Sequence, residues 1–72
     1  MRWGIIGTGK IANQFARGLA AVPGAELVAV GSRTQASADA FGKTYGVTAR
    51  YPTYQELAED PNVDVVYVST PH

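Results

Sequence analysis

Trp3-Gly4-Ile5-Ile6-Gly7-Thr8-Gly9-Lys10-Ile11-Ala12 is the stretch that decides the reading of this 72-residue chain. A short apolar run enters a glycine turn there, and a helical pattern leaves it. Gly7, Gly9 and Ala12 match the G-x-G-x-x-G/A spacing of a turn that holds the pyrophosphate of a dinucleotide, in the strand-to-helix setting the spacing requires. Each position has a physical task. Gly7 takes the backbone angles of the tight turn because it has no Cβ to clash. Gly9 lets a pyrophosphate lie against the backbone, and Ala12 keeps the helix close to the strands. The free N–H groups of the first helical turn face the anion, with the helix dipole behind them. Thr8, Lys10 and Ile11 complete the candidate stretch; the ammonium of Lys10 either touches phosphate or stays hydrated. A tight turn without a ligand is the plain alternative. The position near the amino terminus, and a chain that continues strand, helix, strand, argue for the ligand.

Working outward, Arg2 to Ile6 read as a first strand buried on both faces. Ile11, Ala12, Phe15, Ala16, Leu19 and Ala20 recur at the spacing of one helical face, with Asn13, Gln14 and Arg17 opposite, and Pro23-Gly24 stops the helix. Glu26 to Ser32 form a second strand around Leu27-Val28-Ala29-Val30. Thr34 is placed to cap a helix that runs through Ala36, Ala40 and Phe41 to Gly46, weakened by Gly42. Val47 to Tyr51 make at most a short strand beside Pro52. Thr53-Tyr54-Gln55-Glu56 has the form of a capping box for a helix ending by Asp60-Pro61-Asn62. Val63 to Ser69 are a fourth strand, with Asp64 near its entry. The order β-α-β-α-β-α-β, with right-handed crossovers, predicts the N-terminal half of a doubly wound α/β parallel sheet, a Rossmann fold, with strands ordered 3-2-1-4.

Length sets a limit on this picture. A chain this small buries only about 60% of its unfolded surface, and a parallel sheet needs both faces covered. Residues 1–72 are therefore expected to be the N-terminal part of a larger dinucleotide-binding domain. Ending after Val65 to Val68 would leave an apolar strand with one side open. Six basic and six acidic side chains balance, which gives no electrostatic case for nucleic acid or a membrane surface. Cysteine is absent, which excludes disulfides and thiolate metal sites, and no metal-ligand cluster is visible. The apolar start is broken by Gly4, Gly7 and Lys10 before it could serve as a signal peptide or a membrane span. A cytoplasmic location is expected.

The end of the second strand chooses the cofactor, because the adenosine ribose lies there. An NAD site usually presents an acid at that point. Here the chain reads Gly31-Ser32-Arg33, and the nearest acids are Glu26, at the strand's beginning, and Asp39, inside the next helix. Ser32 offers a hydroxyl donor and Arg33 a guanidinium suited to the 2′-phosphate of NADP. NADP is favoured on these residues. Arg33 stacking on adenine instead would leave NAD equally acceptable.

These residues carry a family resemblance. Arg2-Trp3-Gly4-Ile5-Ile6-Gly7-Thr8-Gly9, Ala29-Val30-Gly31-Ser32-Arg33, Tyr54-Gln55-Glu56-Leu57 and Val68-Ser69-Thr70-Pro71-His72 together resemble the glucose-fructose oxidoreductase, inositol dehydrogenase and rhizopine-catabolism (Gfo/Idh/MocA) family. Within the family, Arg2-Trp3-Gly4-Ile5-Ile6 and Tyr54-Gln55-Glu56-Leu57-Ala58-Glu59-Asp60-Pro61 resemble the NADP-dependent dihydrodiol and D-xylose dehydrogenase branch. The resemblance implies an oxidoreductase moving a hydride between a nicotinamide cofactor and a hydroxyl-bearing carbon of a sugar, cyclitol or diol. It also implies a larger protein whose C-terminal domain supplies the substrate pocket and an oligomer interface, so a homo-oligomer with a small-molecule substrate is expected. The lysine of the family's Glu-Lys-Pro motif would follow residue 72, and no catalytic acid or base is assigned within this chain.

Carried over by position, Gly7 to Ala12 match the pyrophosphate turn, Ser32 and Arg33 the adenosine-phosphate end, and Ser69, Thr70, Pro71 and His72 the loop beside the nicotinamide ribose. One position departs from the pattern. NADP-preferring relatives often carry Lys or Arg where this chain has Ser37, which puts strict selectivity in doubt. His72 corresponds to a residue near the cofactor rather than to the proton-transfer pair. Tyr45, Tyr51, Tyr54 and Tyr67 lack a lysine four places on, so they are assigned to packing. A noncatalytic dinucleotide-binding regulator or assembly subunit shares every feature above. A methyltransferase also uses a glycine-rich turn, yet it normally needs an acid where Ser32 stands.

Overall fold

Residues 1–69 are described in the computed structural model, and Thr70, Pro71 and His72 lie outside it. The described elements run β1 (Arg2–Ile6), α1 (Lys10–Leu19), β2 (Glu26–Gly31), α2 (Gln35–Tyr45), β3 (Ala49–Tyr51), α3 (Tyr54–Ala58) and β4 (Val65–Val68). All strand pairs are parallel, and the sheet order is β3-β2-β1-β4, as the element order predicts. The chain winds outward from β1 to β3, then returns past β1 to lay down β4. That reversal is the topological switch point of a doubly wound sheet.

The two faces are covered differently. Ile5 and Val30, directly paired across β1 and β2, point into a core made with Ala12 and Ala16 of α1, Ala38 and Phe41 of α2, and Val47. Trp3, Phe15 and Tyr67 extend it toward β4. Phe15 stacks on Tyr67 with ring centroids 4.0 Å apart and meets Trp3 at 5.4 Å, contacts that add about 1 kcal/mol each to the area they bury. On the opposite face α3 drops the fully buried Leu57 onto the sheet. A Cβ on Gly4 would stand 3.1 Å from Leu57 Cδ1, and one on Gly31 would stand 3.1 Å from Leu57 Cβ. These two strand glycines make the room that lets so short a helix sit close.

Local signals explain the helix ends. Thr34 Oγ1 accepts the Ser37 N–H at 3.1 Å, and α2 stops at Gly46, whose left-handed φ of 70° closes its last turn. Thr53 caps α3 by accepting the Glu56 N–H at 3.2 Å. Among the described residues the capping box is half made, because no bond returns from the Glu56 carboxylate. Ile11, 52% exposed, and Ala20 are corrections to the expected apolar face of α1. At the helical step they lie roughly 100° and 80° from Ala12, outside the stripe that Ala12, Phe15, Ala16 and Leu19 bury. Strand ends move inward as well. β2 stops at Gly31 rather than Ser32, β3 begins at Ala49, and β4 spans only Val65–Val68. Before β4, Val63 donates back to the Asp60 carbonyl and Asp64 exchanges bonds with Arg2, so both belong to the turn.

Candidate functional site

The carboxyl ends of β1, β2 and β4 converge, and hydrogen bonds fasten them there. Gly7 N–H donates to the Gly31 carbonyl at 2.9 Å, while the N–H and hydroxyl of Ser69 both reach the Ile6 carbonyl at 2.9 Å. Ser32 N–H donates to the Tyr51 carbonyl at 3.0 Å, anchoring the end of β2 to β3. Gly7 stands at φ 104°, and a Cβ there would lie 2.8 Å from Ser69 Oγ and 3.1 Å from the Ser69 carbonyl oxygen. Both the backbone angle and the close approach demand glycine.

Gly9 answers a different need. Its φ of −81° suits any residue, and among the described residues nothing beyond its chain neighbours stands within 4 Å of where its Cβ would be. It is the N-cap of α1 and makes no side-chain cap bond. The first N–H groups of a helix have no partner within it, so those of α1 are left for a group from outside. Ala12 is fully buried against the sheet, which holds this helix end near the strand tips.

A groove of about 280 Å³ runs along these tips, lined by Gly7, Thr8, Gly9, Ser32, Arg33, Ser37, Tyr54 and Ser69. It gathers six of the residues singled out from the sequence: Gly7, Thr8, Gly9, Ser32, Arg33 and Ser69. Lys10 and Ile11 are exposed beside it on the first turn of α1, and Ala12 lies under it. Thr70, Pro71 and His72 are outside the described residues. Arg33 is the one charged side chain in this described lining. The acids nearest in sequence are elsewhere: Glu26 opens β2 at its far end, and Asp39 accepts from Gln35 at 3.0 Å and faces Arg50 at 4.0 Å. The described lining thus carries one cation, several hydroxyls and no carboxylate, which suits an anion.

Two further lining residues are Ser37, where the family resemblance marks a cation position, and Tyr54, which the sequence assigns to packing. Ser37 and Tyr54 enter because the first turns of α2 and α3 approach the β2 end, and Tyr54 also borders a neighbouring hollow with Ser32, Arg33, Pro52 and Thr53. The signal that could have found Tyr54 is its place directly after the Thr53 cap. The resolved shifts in acidity lie away from the groove. Tyr51 donates to Asp60 at 2.7 Å and that bond holds its phenol above the usual range. The Arg2 backbone N–H holds the Asp64 carboxyl below its own. No cluster of three or more metal-ligating side chains occurs among the described residues, and no helix there is long and apolar enough to cross a membrane.

A family model described as an oxidoreductase family with an NAD-binding Rossmann fold matches residues 1–72. Trans-1,2-dihydrobenzene-1,2-diol dehydrogenases from Mus musculus and Danio rerio are 42% and 43% identical to the chain over 74 aligned positions, spanning 100% of it. The chain covers 22% of the length of each of those relatives. A 3-ketoreductase from Actinomadura kijaniata, solved in complex with NADP, superposes with a TM-score of 0.91 at 35% identity, over 99% of this chain and 23% of that one. A myo-inositol dehydrogenase from Lactobacillus casei, solved with NAD(H) and myo-inositol, gives 0.86 at 30% identity, over 97% of this chain and 21% of that one.

Proposed function

The chain belongs to the Gfo/Idh/MocA oxidoreductase family, with its NAD-binding Rossmann fold, and from that premise we propose that it is the N-terminal, cofactor-holding part of an NADP-preferring dehydrogenase. The observation that carries the reading is one continuous groove joining the Gly7 to Gly9 turn to Arg33, with no carboxylate in its described lining. The pyrophosphate fits the open backbone at Gly9 and the uncapped start of α1. The 2′-phosphate fits Ser32 and the guanidinium of Arg33 through charge-assisted bonds, and an acid there would repel it. Since one similar structure holds NADP and another NAD(H), this chain's own residues at the β2 end carry the preference. NAD remains an acceptable second cofactor because Ser37 supplies no further cation.

When bound, the nicotinamide ring supplies or accepts a hydride. The chain's residues bind and orient it, with Ser69, Thr70, Pro71 and His72 on the nicotinamide side. The substrate is a sugar, cyclitol or diol that reacts at a hydroxyl-bearing carbon, in keeping with the diol and the cyclitol in the names of two of the similar dehydrogenases. The remaining half of the domain and a C-terminal substrate domain complete the protein, a cytoplasmic homo-oligomer. The test is a fluorescence titration of the whole protein with NADPH and NADH at one ionic strength. Tighter NADPH binding supports the reading, equal or tighter NADH binding overturns the cofactor preference, and binding of neither overturns the dehydrogenase assignment.

A further inference from the structure

By sequence Asn13 lies off the apolar face of α1, and Tyr45 reads as a packing residue. Across 32 positions of sequence the two meet: Tyr45 Oη donates to Asn13 Oδ1 at 2.5 Å. The other half of the same amide is used as well. Asn13 Nδ2 donates to the Gly9 carbonyl at 2.8 Å and to the Thr8 carbonyl at 3.3 Å. Oxygen toward the phenol and nitrogen toward two carbonyls is the orientation that satisfies all three partners. Tyr45 is itself held, since its ring packs on Phe41 at a centroid distance of 4.7 Å and Gly46 ends the helix directly behind it.

A trans peptide is planar, with its C=O and the next N–H pointing in opposite directions. Drawing the Thr8 carbonyl toward Asn13 therefore aims the Gly9 N–H the other way, and at the Gly9 carbonyl, which the Asn13 backbone N–H already holds at 3.0 Å, the side chain adds a second hold on the peptide that carries the Lys10 N–H. Asn13 lines a depression with Thr8, Ser37 and Thr44, while Gly7, Thr8 and Gly9 line the dinucleotide groove. We propose that Asn13, held by Tyr45, is a positioning residue for dinucleotide binding that presets the peptides of the glycine turn so that their N–H groups face the pyrophosphate. Neither side chain is in the described lining of that groove. The pair links α2, whose first turn borders the adenosine end of the groove, to the turn at its pyrophosphate end.

This inference rests on the dinucleotide reading above, and the experiment separates the two. Wild-type whole protein is titrated with NADPH and NADH beside Asn13→Ala, Tyr45→Phe and the double variant, with a thermal melt of each. No binding by wild type would defeat the dinucleotide reading itself. With wild-type binding in hand, Asn13→Ala is expected to weaken both cofactors about tenfold and Tyr45→Phe about threefold, the scale of one to two lost hydrogen bonds. Because the pyrophosphate is common to both, the NADPH to NADH ratio stays at its wild-type value. Because Tyr45 acts through Asn13, the double variant is no weaker than Asn13→Ala alone. Tyr45→Phe keeps the ring and its packing, so it remains informative should Asn13→Ala fail to fold. A Tyr45→Phe protein that melts earlier yet binds both cofactors like wild type would show a purely structural bond and overturn the proposal. A changed cofactor ratio, or losses that simply add, would overturn it too.

Discussion

Two glycines two positions apart serve the same motif for different reasons, and alanine at each separates them. Gly7→Ala places a β-carbon residue at φ 104°, a region costing about 1–3 kcal/mol for a residue other than glycine. The new Cβ, 2.8 Å from Ser69 Oγ and 3.1 Å from its carbonyl oxygen, also forces Ser69 off the Ile6 carbonyl. Losing that bond adds about 1 kcal/mol, for a total destabilisation of roughly 2–4 kcal/mol. Gly9→Ala meets no described residue beyond its chain neighbours within 4 Å at an ordinary φ of −81°, so the fold loses no more than about 1 kcal/mol, the difference between glycine and alanine at an N-cap. Under the proposed cofactor binding, its methyl would occupy the space where the pyrophosphate meets the backbone. Displacing one charge-assisted bond costs about 1.5–3 kcal/mol, or roughly ten- to a hundredfold in affinity. Urea unfolding and NADPH titration of the whole protein read the two quantities separately. Wild-type stability in Gly7→Ala, or wild-type NADPH affinity in Gly9→Ala, would refute the assignment of strain to one and ligand approach to the other.

Arg33→Ala is expected to weaken NADPH about ten- to a hundredfold and leave NADH nearly unchanged, the value of a charged hydrogen bond to the 2′-phosphate; equal losses would mean stacking on adenine. Gly42→Ala should gain about 1 kcal/mol from helix propensity, yet its Cβ would sit 2.7 Å from Arg50 Cδ and displace the guanidinium from its 2.8 Å bond to the Val47 carbonyl. Net loss of stability in Gly42→Ala, turning to a gain when combined with Arg50→Ala, is the result urea unfolding should give. Leu57→Ala should cost about 3 kcal/mol by the same assay, the usual loss for a buried leucine whose neighbours cannot close the gap. Asp64, whose carboxyl is held below its ordinary value by the Arg2 N–H, contributes stability above the usual carboxylate range. That contribution is lost as the pH falls through the lowered value, so Asp64→Asn should flatten the acid limb of a stability profile.

Elements were legible wherever one segment carries its own signal. Gly7 between an apolar run and a helical stripe, Thr34 and Thr53 at caps, and Gly46 at a helix end are local chemistry, and the structure places all four as read. The strand order followed from connection rules acting on the element order. Boundaries slipped where tertiary contact decides. Val63 is as apolar as Val65, but its backbone turns back to Asp60 while its side chain packs over Gly4. Ile11 has the residue type of a core position, and its angle around α1 carries it out of the buried stripe.

The candidate site divides along the same line. Gly7, Thr8 and Gly9 of its floor could be singled out together because the proposed pyrophosphate turn is made of contiguous residues. The walls come from elsewhere: Ser37 and Tyr54 reach the groove only because α2 and α3 start where β2 and β3 end. Asn13 is the extreme case. Within its own helix it sits among polar neighbours and gives no sign of a task, since the partner that fixes its amide is the last residue of another helix. Binding groups in a motif announce themselves by spacing, whereas the residues that aim them are defined by where two helices meet over the sheet. It follows that substitutions most informative about cofactor affinity lie partly outside the motif, at Asn13 and Tyr45. Their effects should track the pyrophosphate common to both cofactors, and those of Arg33 the phosphate that distinguishes them.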